Sequence, residues 1–175
     1  KCNKNDVDEL VRVWVNEENA SVTSQNRYGM GQILMEHRRK PKISYQMHWE
    51  KGQQERFNYF IMSADSEFLM EENNFQTFLS LCMKLSVLLD PVQGEIVNCA
   101  FPGWDTPINL QVRHPELHWM AFFGKPYIVL FGRDKLLNAP CYSTKSIGDN
   151  IIALQMTESP FHAVADEMRN AVKTY

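Results

Sequence analysis

The sequence predicts an α+β fold, a mainly antiparallel sheet with helices packed on one face as a two-layer sandwich, and three observations predict it. Two alternating runs, Ile43-Tyr45-Met47-Trp49 and Phe57-Tyr59-Ile61, flank a polar Lys51-Gly52-Gln53-Gln54 connection, the pattern of an antiparallel hairpin. A helical period runs from Asn74 to Asp90, with Phe75, Phe78, Leu79, Cys82, Leu85 and Leu89 on one face. The order strand, helix, strand, strand, helix, then mostly strands and a closing helix shows neither regular βαβ alternation nor an internal repeat. A single domain spanning residues 1–175 is the expectation, with no linker or low-complexity tract.

Taken in order, Leu10 to Val15 alternates, with Val11, Val13 and Val15 on one side, and reads as a half-buried strand. Met30, Ile33, Leu34 and His37 recur at helical spacing and predict a helix that ends by Lys40, because Pro41 disfavours the α region before it. The hairpin follows, then the long helix, capped by Asn73 or Asn74 and closed by Pro91 and Gly94. Ile96–Ala100 and Ile108–Val112 read as strands around a Pro- and Gly-containing loop. The stretch Leu117–Pro140 organises the rest: an apolar strand to Phe123, a turn at Gly124, a helix opened by Pro126, and a break at Gly132. Cys141–Lys145 and Ile151–Met156 form a second hairpin, and Ser159 with Pro160 opens the last helix.

Composition bounds the function. With 44% hydrophobic, 22% charged and 11% aromatic residues in 175, the chain is long enough to bury a sizeable core. No apolar run approaches the roughly 18 residues that cross a bilayer. A formal net charge of −3 argues against a nucleic-acid partner, which needs a concentrated basic surface, and suits a basic protein partner. The chain starts at Lys1 with no charged-then-apolar leader, which disfavours an exported origin, so the Asn19-Ala20-Ser21 sequon carries little weight. Cys2, Cys82, Cys99 and Cys141 lack CxxC spacing and read as reduced thiols of a cytoplasmic protein.

Signals of catalysis are weak. His114, Glu116 and His118 stand at alternate positions and on a strand would share a face; as a metal set they would make a small metal-dependent hydrolase the alternative function, although Pro115 intervenes and the spacing matches no zinc signature. Cys82 or Cys141 has no nucleophile-elbow surround. No phosphate-binding glycine loop exists. No catalytic residue, metal or cofactor is therefore assigned, and a ligand-binding α+β module is the third reading. Charge is more informative. Asp65, Glu67, Glu71 and Glu72 alternate with Phe68, Leu69 and Met70, which reads either as acid placed ahead of a helix or as a docking surface for a basic partner. Arg38, Arg39, Lys40 and Lys42 make a basic run suited to a helix end. Trp104 and Asp105 lie in a loop, where the indole is either a lid on the core or a binding anchor.

The run Phe123-Gly124-Lys125-Pro126-Tyr127-Ile128-Val129-Leu130-Phe131-Gly132-Arg133, continued by Lys135–Pro140 and Leu154–Glu158, resembles the C-terminal half of bacterial immunity proteins of polymorphic-toxin and type VI secretion systems. The likeness covers about a third of the chain. It implies a non-enzymatic, cytoplasmic α+β protein, monomeric or homodimeric, that binds a cognate toxin, in many pairs a nuclease, and occludes its active site or substrate groove. The resemblance transfers no binding residues; from the charge and aromatic pattern of this sequence alone, Asp65, Glu67, Glu71 and Glu72, with Trp104 and Asp105 as a second patch, are the expected partner-binding residues.

Overall fold

A computed structural model describes residues 8–9, 11–12, 16, 30–37, 39–50, 58–100 and 116–175. They form an α+β fold with two antiparallel sheets, of three and four strands. The chain divides into two compact units, Lys1–Gln76 and Thr77–Tyr175. No helix among the described residues is long and apolar enough to cross a membrane.

In the first unit β1 (Met30–Glu36), β2 (Ile43–Glu50) and β3 (Tyr59–Ala64) pair in that order. Pairing Gln32↔His48↔Tyr59, Leu34↔Gln46 and Ser44↔Ser63 gathers polar groups on one face. There the His48 ring stacks on Tyr59, centroids 5.1 Å apart, and Gln46 Nε2 donates to the Tyr59 hydroxyl at 3.2 Å. Ile33, Met35, Tyr45, Met47, Phe60 and Met62 take the other face, half-buried. The expected hairpin is therefore present. The helix expected from Met30 is instead β1, and the reason lies in Gly31: glycine costs a helix about 1 kcal/mol, whereas β2 offers β1 a ladder from Met30↔Glu50 to Glu36↔Ser44. Leu34, counted on the apolar side of a helix, is 68% exposed. The strand expected at Leu10–Val15 fails too where it is described. Asp8, Glu9, Val11, Arg12 and Asn16 are helical, with Glu9 and Arg12 paired across one turn at 3.8 Å.

Short helix α1 (Ser66–Leu69) leads to α2 (Glu72–Leu89), the long helix expected. Phe75, Phe78, Leu79, Cys82 and Leu85 are half-buried as its stripe predicts, while Leu89 is exposed. Its start is set earlier than Asn73: the amides of Asn74 and Phe75 donate to the Glu71 carbonyl. Asn74 does not cap the helix; its Nδ2 reaches back to the Phe68 carbonyl and the Glu71 carboxylate. Asp90, at φ 42°, and Pro91 stop the helix.

The second unit is built on β4 (Gln93–Ile96), β5 (Met120–Phe123), β6 (Ser143–Ile147) and β7 (Ile151–Gln155), ordered β4-β5-β7-β6. The strand expected at Ile96–Ala100 thus starts earlier and stops at Ile96, and that expected at Ile108–Val112 lies outside the described residues. Ala121, Phe123, Ile152 and Leu154 face a core shared with Leu117, Met156 and Val164. Tyr127 of α3 (Lys125–Phe131) and Leu136 of α4 (Arg133–Leu137) join that cluster, and Met168 and Val172 of α5 (Asp166–Thr174) pack against it. Met120, Phe122, Ile151 and Ala153 are buried as well, so β5 and β7 are covered on both faces; that explains why they read as unbroken apolar runs.

Gly124 ties β5 to the turn before β4. Its amide donates to the Val92 carbonyl at 2.9 Å, and a Cβ there would stand 2.0 Å from the Pro91 carbonyl oxygen. Gly132, at φ 91°, separates α3 from α4, as expected. The last helix starts later than expected, at Asp166: Ser159 Oγ accepts from the Phe161 amide at 3.3 Å in a local turn rather than capping a helix.

Candidate functional site

The acidic segment is brought to the surface by α1 and the turn into α2. Its four carboxylates have different partners. Asp65 is structural: its Oδ2 accepts the Lys42 amide at 2.9 Å while its own amide donates to the Lys42 carbonyl at 3.0 Å, which fastens the end of β3 to the start of β2. Glu67 lies 3.5 Å from Lys40 Nζ, both side chains more than four-fifths exposed, so water screens the pair. Glu71 accepts from Asn74 Nδ2 at 2.9 Å and Glu72 from Gln76 Nε2 at 2.8 Å. Glu67 and Glu72 also occupy the first turns of α1 and α2, where negative charge is favoured. Met70, 66% exposed, stands one turn after Glu67 and beside Glu71. The result is an exposed apolar side chain flanked in sequence by three exposed glutamates, Glu67, Glu71 and Glu72.

The basic run contributes to the same neighbourhood, which its position in sequence did not suggest. Lys40 reaches Glu67, and Lys42 Nζ pairs with Glu36 at 3.3 Å. His37 Nδ1 contacts the Arg39 and Pro41 carbonyls at 2.8 and 3.1 Å, holding the β1–β2 turn that presents these lysines. Arg38, Trp104 and Asp105 lie outside the described residues.

His114 also lies outside them, and the other two members of the alternating set turn to different elements. Glu116 is paired with Lys173 of α5 at 3.1 Å. His118 is buried, 7% exposed, with Nε2 3.5 Å from Glu95 Oε2 on β4. Residues 116–118 are not a strand, so the alternation that would have put these side chains on one face is lost. They form part of an anchor in which four successive residues reach three parts of the fold, two of them holding α5, one β4 and one the segment after β7. Glu116 holds Lys173; the Leu117 carbonyl accepts from Arg169 Nε at 3.3 Å; His118 faces Glu95; and Trp119 Nε1 donates to the Thr157 carbonyl at 2.8 Å. A shallow cleft beside His118, lined by Asn98, Trp119, His162 and Arg169 among others, has room for little more than a water molecule. Among the described residues no group of three or more His, Cys, Asp or Glu is placed to hold a metal.

The thiols divide by environment. Burial pushes Cys82 up to about 11 and raises Cys141 too, although the Ser143 carbonyl lies 3.3 Å from the Cys141 sulfur. Cys99 is exposed, and Cys2 lies outside the described residues. A thiol raised by burial is a poor nucleophile at neutral pH.

No protein-family model, curated protein or solved structure matches this chain.

Proposed function

We propose that this chain is a non-enzymatic binding protein of the toxin–immunity class, acting in the cytoplasm, which silences a basic cognate toxin by covering its active site or substrate groove. The observation that carries the reading is the exposed Met70 flanked in sequence by the exposed Glu67, Glu71 and Glu72. An apolar anchor inside an acidic rim supplies both parts of a steered interface: the side chain gives up water on contact, and the carboxylates draw in a basic surface. Among the described residues Glu67 is the one of the three with a lysine within ion-pair distance, and that pair is solvent-screened, so it leaves much of the rim's negative field in place. The sequence likeness to immunity proteins supports the same reading through the second unit, which carries all of it, beginning at the Gly124–Pro126 turn and α3.

The test is co-expression with the product of the adjacent gene. The reading expects co-purification and rescue of growth from that protein's toxicity. It also expects Glu71→Lys with Glu72→Lys to lower the association rate at low salt by about tenfold and to lose that effect in high salt. Absence of both rescue and co-purification refutes it.

A further inference from the structure

Helix α3 is apolar on both of its sides. Tyr127, Ile128 and Phe131 pack into the core of the second unit. Pro126, Val129 and Leu130 point away from it, with Val129 76% and Leu130 59% exposed. They stand at i, i+3 and i+4, so they form one continuous outward strip. A helix that is apolar all round is normally buried, and the inner packing does not need aliphatic residues on the outer side.

Cations flank this strip in sequence. Lys125 lies one turn before Val129 and makes no ion pair among the described residues. Arg133 follows Val129 by four residues; its Nη1 donates to the Asp149 carbonyl at 3.0 Å and its Nη2 to Ser146 Oγ at 2.6 Å. Both acceptors are neutral, so they fix the guanidinium without cancelling its charge. Lys125, Arg133 and Lys135 against Asp134 leave the stretch Lys125–Lys135 at net +2, in a chain whose net charge is −3. A fitting occupant is therefore apolar at its centre and acidic at its rim. The chain carries that complement itself, in Met70 with Glu67, Glu71 and Glu72.

We infer that the outer face of α3 docks the acidic segment around Met70 of a second copy of this chain. Val129 and Leu130 meet Met70, and Lys125 and Arg133 meet the glutamates. The contact joins the first unit of one copy to the second unit of another, so the smallest assembly it makes is a pair. The association is electrostatic at its edges and so weakens with salt. It also covers the surface assigned above to the basic partner, so that partner and self-association compete.

Sedimentation velocity on the full chain, from micromolar to millimolar concentration at low and high salt, tests this. The expected result is a concentration-dependent dimer that salt weakens. Lys125→Glu turns an attraction into a repulsion and weakens it about tenfold, and Val129→Ser weakens it without touching charge. Mixing the Lys125→Glu chain with a Glu71→Lys chain restores association beyond either alone, since the reversed charges match. All three positions are exposed, so circular dichroism should show an unchanged fold. A monomer at every concentration in low salt overturns the inference, as does a dimer indifferent to both Lys125→Glu and Val129→Ser.

Discussion

Replacing Gly124 by alanine should be the most damaging glycine substitution in the second unit, and by a purely steric route. Its backbone, at φ −79° and ψ −178°, is one any residue adopts, so alanine meets no torsional strain. The obstacle is a Cβ 2.0 Å from the Pro91 carbonyl oxygen and 2.9 Å from that of Val92, both backbone atoms. Relief requires the Pro91–Val92 turn to retreat by about 1 Å or more, which breaks the 2.9 Å bond from the Gly124 amide to Val92 and strains the adjacent Gln93↔Phe123 pair. One lost backbone bond costs about 1 kcal/mol and the strain and loosened packing about 2–3 more. The stiffer unfolded chain returns under 1. The net loss is therefore about 3 kcal/mol. Gly132 provides the control of opposite cause: its φ of 91° strains alanine, but the nearest atom to a new Cβ is 3.9 Å away, so about 1–2 kcal/mol is expected. At Gly94 the new methyl would make ordinary contact with Phe122 at 3.5 Å, for a change near zero. Hydrogen exchange at the amides of β5 and β7 reads the second unit separately from the first. Gly124→Ala within about 0.5 kcal/mol of the parent, or milder than Gly132→Ala, would refute the close-approach argument.

Other outcomes follow from burial. Ile152, 0% exposed at the centre of the core, should cost about 3–4 kcal/mol on Ile152→Ala, measured the same way. Because burial raises Cys82 from 9.0 to about 11, the unfolded chain releases that proton first on alkalinisation. Stability should thus be unaffected below about pH 9 and fall between 9 and 11, by roughly 1–2 kcal/mol for a half-buried group, and Cys82→Ala should remove that part of the slope in alkaline denaturation. Cys141 and Tyr127, also raised by burial, contribute in the same direction and remain in the variant. Alkylation at pH 8 read cysteine by cysteine by mass spectrometry should label exposed Cys99 well before Cys82 or Cys141; labelling of all three at one rate would count against the buried placement.

The elements legible in the sequence are those whose signal is local or whose surroundings are uniform. The β2–β3 hairpin, α2 and the β6–β7 hairpin rest on strict period-2 or period-3.6 patterns, and the Gly124–Pro126 turn on residues with few alternative uses. The misreadings have separate causes. Met30, Ile33, Leu34 and His37 fit a helical face, but a seven-residue ladder with β2 outweighed that fit once Gly31 had weakened the helix. At Ser159-Pro160 the start signal is genuine chemistry used for a turn, since Ser159 Oγ binds the Phe161 amide two residues on.

Side-chain partnerships were illegible for a different reason: they join residues that no spacing rule connects. Asp65 looked like one acid among four, yet it is bound to a backbone amide 23 residues away at Lys42, whereas the other three face side chains among the described residues. His118 was read with Glu116, two positions off, whereas its carboxylate neighbour is Glu95, brought across by β4–β5 pairing. The same step changes what a composition count means. The acidic segment has four carboxylates in sequence; once Asp65 is assigned to the sheet and Glu67 is partly offset through water by Lys40, the charge that steers a partner rests mainly on Glu71 and Glu72, which directly follow Met70. An interface placed there depends on those two residues and one methionine, so substituting Asp65 should damage the fold rather than the rate of partner association.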